Sequence, residues 1–431
     1  MIEKQDIRDA VRGNVFWLGV VSFLNDLSSE MIYPLLPVFF TGLVPVSMAA
    51  VYIGLMDGLA DSVSSILKLY AGRLSDSLGV RKPLALAGYG ISSITRPLMA
   101  MAGAGWQVII FRFMDRVGKG IRTSPRDALI SESTDEGSMG VAFSFHRMMD
   151  HAGAVAGPLA AAAFLYALLG SALLWARGNG AADVEEMRAL RWLFALAILP
   201  ALGGVAVLWK SVREPEVSGI PEGRVEVVEV AGRSRSSLSP RFYLFLAAVT
   251  LFALGNSSDL FLVLFAKERF GLGMGYVIAL WVTLHISKTA FSLPGGSLSD
   301  RLGRRPAITS GWVVYIVVYL AMPWAGRLET MWALFILYGL YYGLTEGAER
   351  AFIPDFVPPS SRGRAYGLYH AAVGLAALPA SLVFGVLWAT LGARTAFLIG
   401  AGLAAAAAML LAMLRPEKPL RRCPESLPTL H

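Results

Sequence analysis

The chain has 431 residues, 55% hydrophobic and 16% charged, with a formal net charge of +7 and a mean hydropathy of +0.56. That balance excludes an ordinary soluble enzyme, because the apolar residues fall in runs of about 20, the length that crosses a bilayer core. The positive charge lies in the loops between these runs, so it reads as a topology signal and not as a nucleic-acid surface; the single Cys423 lies in the polar tail and excludes an internal disulfide or a cysteine metal site.

Met1 to Gly13 carries Lys4, Arg8 and Arg12 ahead of an apolar segment longer than the core of a cleavable signal, which predicts an uncleaved first helix. The apolar runs predict twelve spans, at about 14–42, 48–71, 84–103, 105–125, 139–168, 191–211, 241–267, 272–294, 306–325, 329–355, 362–392 and 394–414. The stretch between the sixth and seventh, rich in Glu, Arg, Ser and Pro, reads as a solvated linker. The expected organisation is thus an all-α membrane protein of two pseudo-symmetric six-helix bundles: 1–209, a linker at 210–241, 242–415, and a polar tail at 416–431.

Lys and Arg concentrate on one side of this arrangement: the N-terminus, the 72–83, 126–138, 301–306 and 362–364 loops, the linker, and the tail with Arg415, Lys418, Arg421 and Arg422. Both termini are therefore expected in the cytoplasm, with the chain in the cell's inner membrane. On the other side, Asp183 to Arg188 is expected to form a short surface helix.

The loop after the second span, Gly72-Arg73-Leu74-Ser75-Asp76-Ser77-Leu78-Gly79-Val80-Arg81-Lys82, reappears after the eighth as Gly296-Ser297-Leu298-Ser299-Asp300-Arg301-Leu302-Gly303-Arg304-Arg305. Ser28-Ser29-Glu30 is echoed by Ser257-Ser258-Asp259, and Gly140-Val141-Ala142-Phe143 by Gly363-Arg364-Ala365-Tyr366. The loop pattern suits a helix–helix junction. Gly72 and Gly296 allow close approach, Gly79 and Gly303 allow positive φ, and the Asp can face a helix N-terminus while the Arg pairs with an acid.

Motif, spacing, duplication and span count together resemble the major facilitator superfamily. The resemblance covers nearly the whole chain. It implies a secondary transporter whose halves rock about a central site, with the loop latching them together on the cytoplasmic side. Asp76 and Arg81 would carry the latch, with Asp300 and Arg305 as their counterparts, and Asp127 is a candidate partner for Arg73 or Arg81. Gly153, Gly157 and Pro158 resemble the core of the superfamily's antiporter motif, although Ala160-Ala161 stand where the family has a further glycine. Arg112 or Arg116 fits its fourth-span arginine motif.

Ionisable groups at membrane depth are costly unless paired or wet, so they mark the expected mechanism. Asp26, Glu30, Asp61, Asp259 and Glu346 are the proton-coupling candidates; for Asp26 and Asp61 a structural pair with Lys68 or Arg96 serves equally well. Asn25, Tyr33, Arg112, Arg116, His146, Arg147, Asn256, His285, Lys288, Tyr341, Tyr342 and His370 are the cavity candidates. Aligning Gly120 with Gly347 sets Lys119 opposite Glu346 and Arg122 opposite Glu349, which suggests an ion-pair gate between the halves; neutralisation of each charge within its own half is the alternative. No metal-ligand spacing, cofactor motif, P-loop or catalytic motif appears. The expected partners are a small-molecule substrate, protons and the lipid bilayer, with no nucleic acid and a monomeric state. The preferred function is export of a small organic compound or drug by proton antiport. Proton-coupled uptake of a polar or anionic metabolite is the alternative, and a lipid flippase or receptor on the same fold stands behind it.

Overall fold

A computed structural model describes residues 10–44, 46–169, 184–214, 238–270, 272 and 274–414. The first span is a helix over Asn14–Glu30, a 3-10 turn over Tyr33–Leu35 and a helix over Leu36–Thr41. The second to sixth are Val46–Leu78, Lys82–Leu98, Gly105–Glu132, Met139–Leu169, and Val184–Leu196 continued by Ile198–Ser211. The seventh is broken into Pro240–Gly255 and Leu260–Phe270; the eighth to twelfth are Met274–Leu302, Arg304–Ala321, Leu328–Phe352, Arg362–Leu391 and Ala393–Ala412. The expected surface helix at Asp183–Arg188 is a correction: from Val184 onward that segment is the first part of the sixth span.

Among the described residues, six stretches are long and apolar enough to qualify as spans by hydropathy alone, including Glu136–Leu168, Val184–Ser211 and Ala393–Ala412. The fourth span misses that standard because one face carries Arg112, Asp115, Arg116, Lys119 and Arg122, and this face turns toward a polar cavity inside the bundle. Exposed Trp106, Trp192, Trp209 and Trp324 lie near helix ends, where an indole matches the polar boundary of a bilayer.

Local sequence explains the boundaries. Pro34 and Pro37 remove amide donors and end the regular helix of the first span after Glu30. Ser239 caps the seventh span by accepting from the Phe242 amide, with Pro240 in the first turn. Gly79 and Gly303 take φ of 67° and 94°, so the reversals after the second and eighth spans need a residue without Cβ.

Packing repeats between the halves. The first span lies on the fifth and sixth as the seventh lies on the eleventh and twelfth; the fourth lies on the second and third as the tenth lies on the eighth and ninth. Two equivalent seams join the halves, the fifth span against the eighth and tenth, and the eleventh against the second and fourth. The C-terminal half is packed with aromatic rings: Phe252 stacks on Trp312 at 4.6 Å between centroids, and Tyr315 on Tyr319 at 4.1 Å.

Candidate functional site

The two repeated loops clasp the halves on the side where the basic residues gather. Asp76 accepts the amide N–H groups of Gly363 and Arg364 at 3.0 and 2.6 Å, in the first turn of the eleventh span. Asp300 accepts those of Gly140 and Val141 at 2.7 and 2.8 Å, in the first turn of the fifth. Each carboxylate thus crosses from one half to satisfy the open helix N-terminus of the other. Glycine makes the approach possible: a Cβ on Gly363 would lie 2.6 Å from the Gly72 carbonyl, and one on Gly140 would lie 2.7 Å from the Gly296 carbonyl. Burying each carboxylate costs desolvation, which offsets part of what the bonds contribute.

An arginine braces each clasp. Arg81 pairs with Asp76 at 2.6 Å and Glu132 at 2.9 Å, and donates across the seam to the Pro359 carbonyl at 3.4 Å. Its counterpart is Arg304, which pairs with Asp355 at 2.5 Å and donates across the seam to the Glu136 carbonyl. Two expectations are corrected here. Arg305 does not act with Asp300 but donates to the Ala412 carbonyl at 2.6 Å, because the second loop is one residue shorter and brings the preceding arginine into place. Asp127 is not the partner of Arg73 or Arg81; the fourth-span acid beside Arg81 is Glu132, which sequence reasoning missed together with Asp355. The offset of 223 residues that relates Arg81 to Arg304 also relates Glu132 to Asp355 and Gly140 to Gly363, a signal present in the sequence.

Asp127 is fully buried in a seam, held by Arg126 at 2.8 Å, by His370 of the eleventh span at 2.7 Å and by Arg350 of the tenth at 3.7 Å. His370 is thus a bridge between halves and does not line the cavity. A second histidine bridge crosses the other seam, His151 to Glu346 at 2.9 Å, with the His285 ring 5.6 Å from that of His151. The suggested gate of Lys119 with Glu346 and Arg122 with Glu349 is corrected: Glu346 faces His151, Arg122 donates to Ser92 at 2.6 Å and lies over Tyr89, and Glu349 accepts from Tyr369 at 2.8 Å and Trp312 at 3.2 Å. Equivalent positions about the pseudo-two-fold axis need not face one another. His146 and Arg147 join Asp150 and Ser22 in a cluster within the N-terminal half, beside the cavity described next but not in its lining.

Between the seams, the N-terminal half holds a polar cavity of about 80 Å³. It is lined by Asn25, Asp26, Ser29 and Glu30 of the first span, Arg96 of the third, and Arg112, Asp115, Arg116, Lys119 and Arg122 of the fourth. Arg96 anchors it, donating to Asp115 at 3.0 Å and to the Asn25 carbonyl and side chain at 2.9 and 3.0 Å. Arg112 lies 3.3 Å from Asp115 and 4.4 Å over the ring of Tyr33, which the break in the first span turns inward. Gly153 and Gly157 press the fifth span onto this part of the first: added Cβ atoms would lie 3.0 Å from that of Asp26 and 2.7 Å from that of Glu30. Pro158 stands within the same helix. A larger cavity of about 540 Å³ opens between loops on the basic side, among Asn14, Glu132 and Glu214, away from these charges. There Glu214 caps the third span by accepting from the Arg81 and Lys82 amides at 2.5 and 2.7 Å.

The C-terminal half answers with a different constellation at the break of the seventh span. Asp259 accepts from Lys288 at 2.8 Å and from the hydroxyls of Tyr338 and Tyr342, each at 2.9 Å, while the Lys288 ammonium sits 3.6 Å over the Tyr342 ring. Asn256 donates to the Tyr341 hydroxyl at 3.3 Å, and Tyr315 donates to the Gly255 carbonyl freed by the break. Broken helices at Glu30 and Asp259, at corresponding points of the two halves, are the usual mark of a transporter's binding region. The side chain of Asp61 lies outside the described residues.

The chain is 32% identical over 403 residues to an uncharacterized MFS-type transporter of Methanocaldococcus jannaschii, covering 92% of this chain and 94% of that one. Over 144 residues it is 31% identical to the multidrug resistance protein MdtH of Yersinia enterocolitica, a third of either chain. Among solved structures it superposes on the human organic anion transporter MFSD10 with a TM-score of 0.71 at 15% identity, covering 92% of this chain and 98% of that one. The Escherichia coli fucose:proton symporter FucP gives a TM-score of 0.71 at 14% identity, covering 94% and 98%. The Major Facilitator Superfamily model matches residues 18–287 and 282–427, and with the doubled bundle, crossed clasps and intramembrane charges the chain belongs to that superfamily, a multi-pass secondary transporter and not an enzyme.

Proposed function

We propose that this transporter exports a small organic compound in exchange for protons, by alternating access. The observation that carries the reading is the pair of crossed clasps, Asp76 onto the eleventh span and Asp300 onto the fifth: they shut one side of the cavity with bonds that must break for the halves to rock. The concentration of basic residues on that side supports a cytoplasmic position for it and for both termini. The halves run 1–209 and 242–415 around a linker at 210–241, and the protein works as a monomer in the cell's inner membrane.

Asp26 and Glu30 line the cavity and are the preferred proton carriers; Asp259 is engaged by Lys288 and two tyrosines, and Glu346 by His151. A buried carboxylate that is dry in one state and wet in the other changes its proton affinity between them, which is what coupling needs. Export is supported by the packing of Gly153 and Gly157 on the first span at these two acids, and by the partial likeness to a multidrug resistance protein and to a tetracycline resistance protein of Vibrio anguillarum. Proton-coupled uptake is the second reading, supported by the cationic stripe of the fourth span, which suits a metabolite drawn in against a negative membrane potential.

The test is proton movement in proteoliposomes of known orientation across a compound library, comparing wild type with Glu30→Gln and Asp26→Asn. Ligand-triggered proton release lost in either variant is the expected result. Transport with no proton movement in any variant would overturn the coupling, and movement of compound and protons in the same direction would overturn antiport.

A further inference from the structure

We infer that Glu349 of the tenth span is a proton-binding site of the transport cycle, a neutral acid while the clasps are shut and a carboxylate once the halves part. The inference adds a site to the transport reading above and rests on its alternating access, whichever acids of the N-terminal half carry protons. Glu349 is buried, and its two oxygens meet different partners: Oε1 accepts from the Trp312 indole at 3.2 Å, and Oε2 lies 2.8 Å from the Tyr369 hydroxyl. An indole N–H only donates, whereas a hydroxyl donates or accepts. A protonated carboxyl therefore satisfies both partners, its carbonyl oxygen taking the Trp312 N–H and its O–H going to Tyr369. Phe252 stacks on Trp312 and Phe245 on Tyr369, so the surroundings are aromatic.

The other buried acids show what a charged one needs at this depth. Asp115, Asp127, Asp150, Asp259 and Glu346 each have a basic side chain as a direct partner. Among the described residues, the direct partners of Glu349 are both neutral. A carboxylate held in this way is a buried charge without a counter-ion, and a bound proton removes that cost. Helix packing does not ask for an acid there either: the corresponding place in the N-terminal half holds Arg122 over the ring of Tyr89.

Opening changes what the carboxyl faces. On its own helix the nearest titratable groups are Tyr341, Glu346 and Arg350; the eleventh span presents Tyr369, the ninth Trp312, and the seventh Phe245 and Phe252. Arg350 is drawn aside, donating to the Glu346 carbonyl at 2.5 Å with its Nε 3.7 Å from Asp127 across the seam. When the halves part, Asp127 leaves with the N-terminal half and water enters. Arg350 is then left beside Glu349 without its acid, and the proton passes from the Glu349 carboxyl to that water on the clasped side. A proton let go on the side where the compound is picked up moves in the direction that antiport needs.

Infrared spectra of the purified full-length protein in lipid films test this, because a protonated carboxyl has a carbonyl stretch apart from the amide bands. Wild type should show such a band, Glu349→Gln should lose it, and Trp312→Phe, which removes the donor to its carbonyl oxygen, should shift it. Glu349→Gln keeps the donor and acceptor of a neutral acid, so its thermal unfolding midpoint should match that of wild type. Gly363→Ala, which wedges the seam without removing a carboxyl, should weaken the band at the same pH. If Trp312→Phe folds poorly, Tyr369→Phe replaces it and should shift the band by removing the partner of the O–H. A band that survives Glu349→Gln, a band indifferent to both ring substitutions, or a lowered midpoint in Glu349→Gln overturns the neutral acid. A band left intact by Gly363→Ala, while Ser144→Cys in that background reacts faster with a thiol reagent, overturns release on opening and makes Glu349 a fixed structural acid. Proton movement in proteoliposomes is read separately: compound crossing without it in wild type removes the antiport and leaves the site standing where the band still answers to Gly363→Ala, whereas proton movement in a wild type without the band does the reverse.

Discussion

Replacing Asp300 by Asn should open the basic side of the transporter. The carboxylate receives two amide N–H groups, from Gly140 and Val141, at 2.7 and 2.8 Å. Bonds to a charged acceptor contribute about 1.5–3 kcal/mol each, and the charge at a helix N-terminus adds about 0.3–1 kcal/mol. Asn keeps one acceptor oxygen and loses the charge, and the carboxylate no longer has to be desolvated. The closed state should lose about 1.5–2 kcal/mol, or roughly 10- to 30-fold in the ratio of closed to open molecules. Ser144 reports this ratio: it is 1% exposed, between Gly296 and Gly347 in the seam. With Cys423→Ser removing the native thiol, alkylation of Ser144→Cys by a membrane-impermeant maleimide should accelerate by that factor when Asp300→Asn is added. An unchanged or slower rate would refute the assignment of this clasp as what holds the side shut.

Other substitutions test neighbouring parts of the argument. Gly363→Ala places a Cβ 2.6 Å from the Gly72 carbonyl and should raise the same alkylation rate at least tenfold, a change of about 1.4 kcal/mol, whereas Gly402→Ala, with nothing within 4 Å, should leave it alone. Arg304→Gln should also raise it and Arg305→Gln should not; the opposite ranking would restore the arginine expected from sequence. Gly303→Ala, at φ 94°, should cost about 1–3 kcal/mol and lower the melting temperature of the detergent-solubilised protein. Asp127→Asn should lower it further, by the equivalent of about 3–5 kcal/mol, since Arg126 and Arg350 would keep buried charge without their acid; a melting temperature within error of wild type would contradict that.

The fold was largely legible because bilayer length and loop duplication are written at the scale of whole segments. Twenty apolar residues mean the same thing wherever they stand, and Asp76 and Asp300 announce their junctions. What escaped was partner choice. The pairing of Lys119 with Glu346 was read from matching positions in the two halves, but equivalent positions are related by rotation and can point apart, and Glu346 found His151. Arg305 was matched to Arg81 by counting from Gly303, whereas Arg304, one residue nearer that glycine, is the arginine that reaches Asp355 and the Glu136 carbonyl. Pro34, Pro37 and the run Gly255-Asn256-Ser257-Ser258 carried enough signal to place the two helix breaks, which apolar content alone conceals. His370 and His146 showed only that they lay at membrane depth; whether a histidine faces a cavity or a seam depends on helix rotation, which one sequence does not specify.

Because the clasps lie on opposite flanks of the axis relating the halves, neither can act as a hinge for releasing the other. Tilting about one would leave that one strained while the second is pulled apart, so partial opening loses bonds on one flank without freeing the passage. The molecule should spend little time half undone. For a carrier in a membrane that stores an ion gradient, such all-or-none parting keeps the path from standing open at both ends, and so guards the gradient against leakage between cycles.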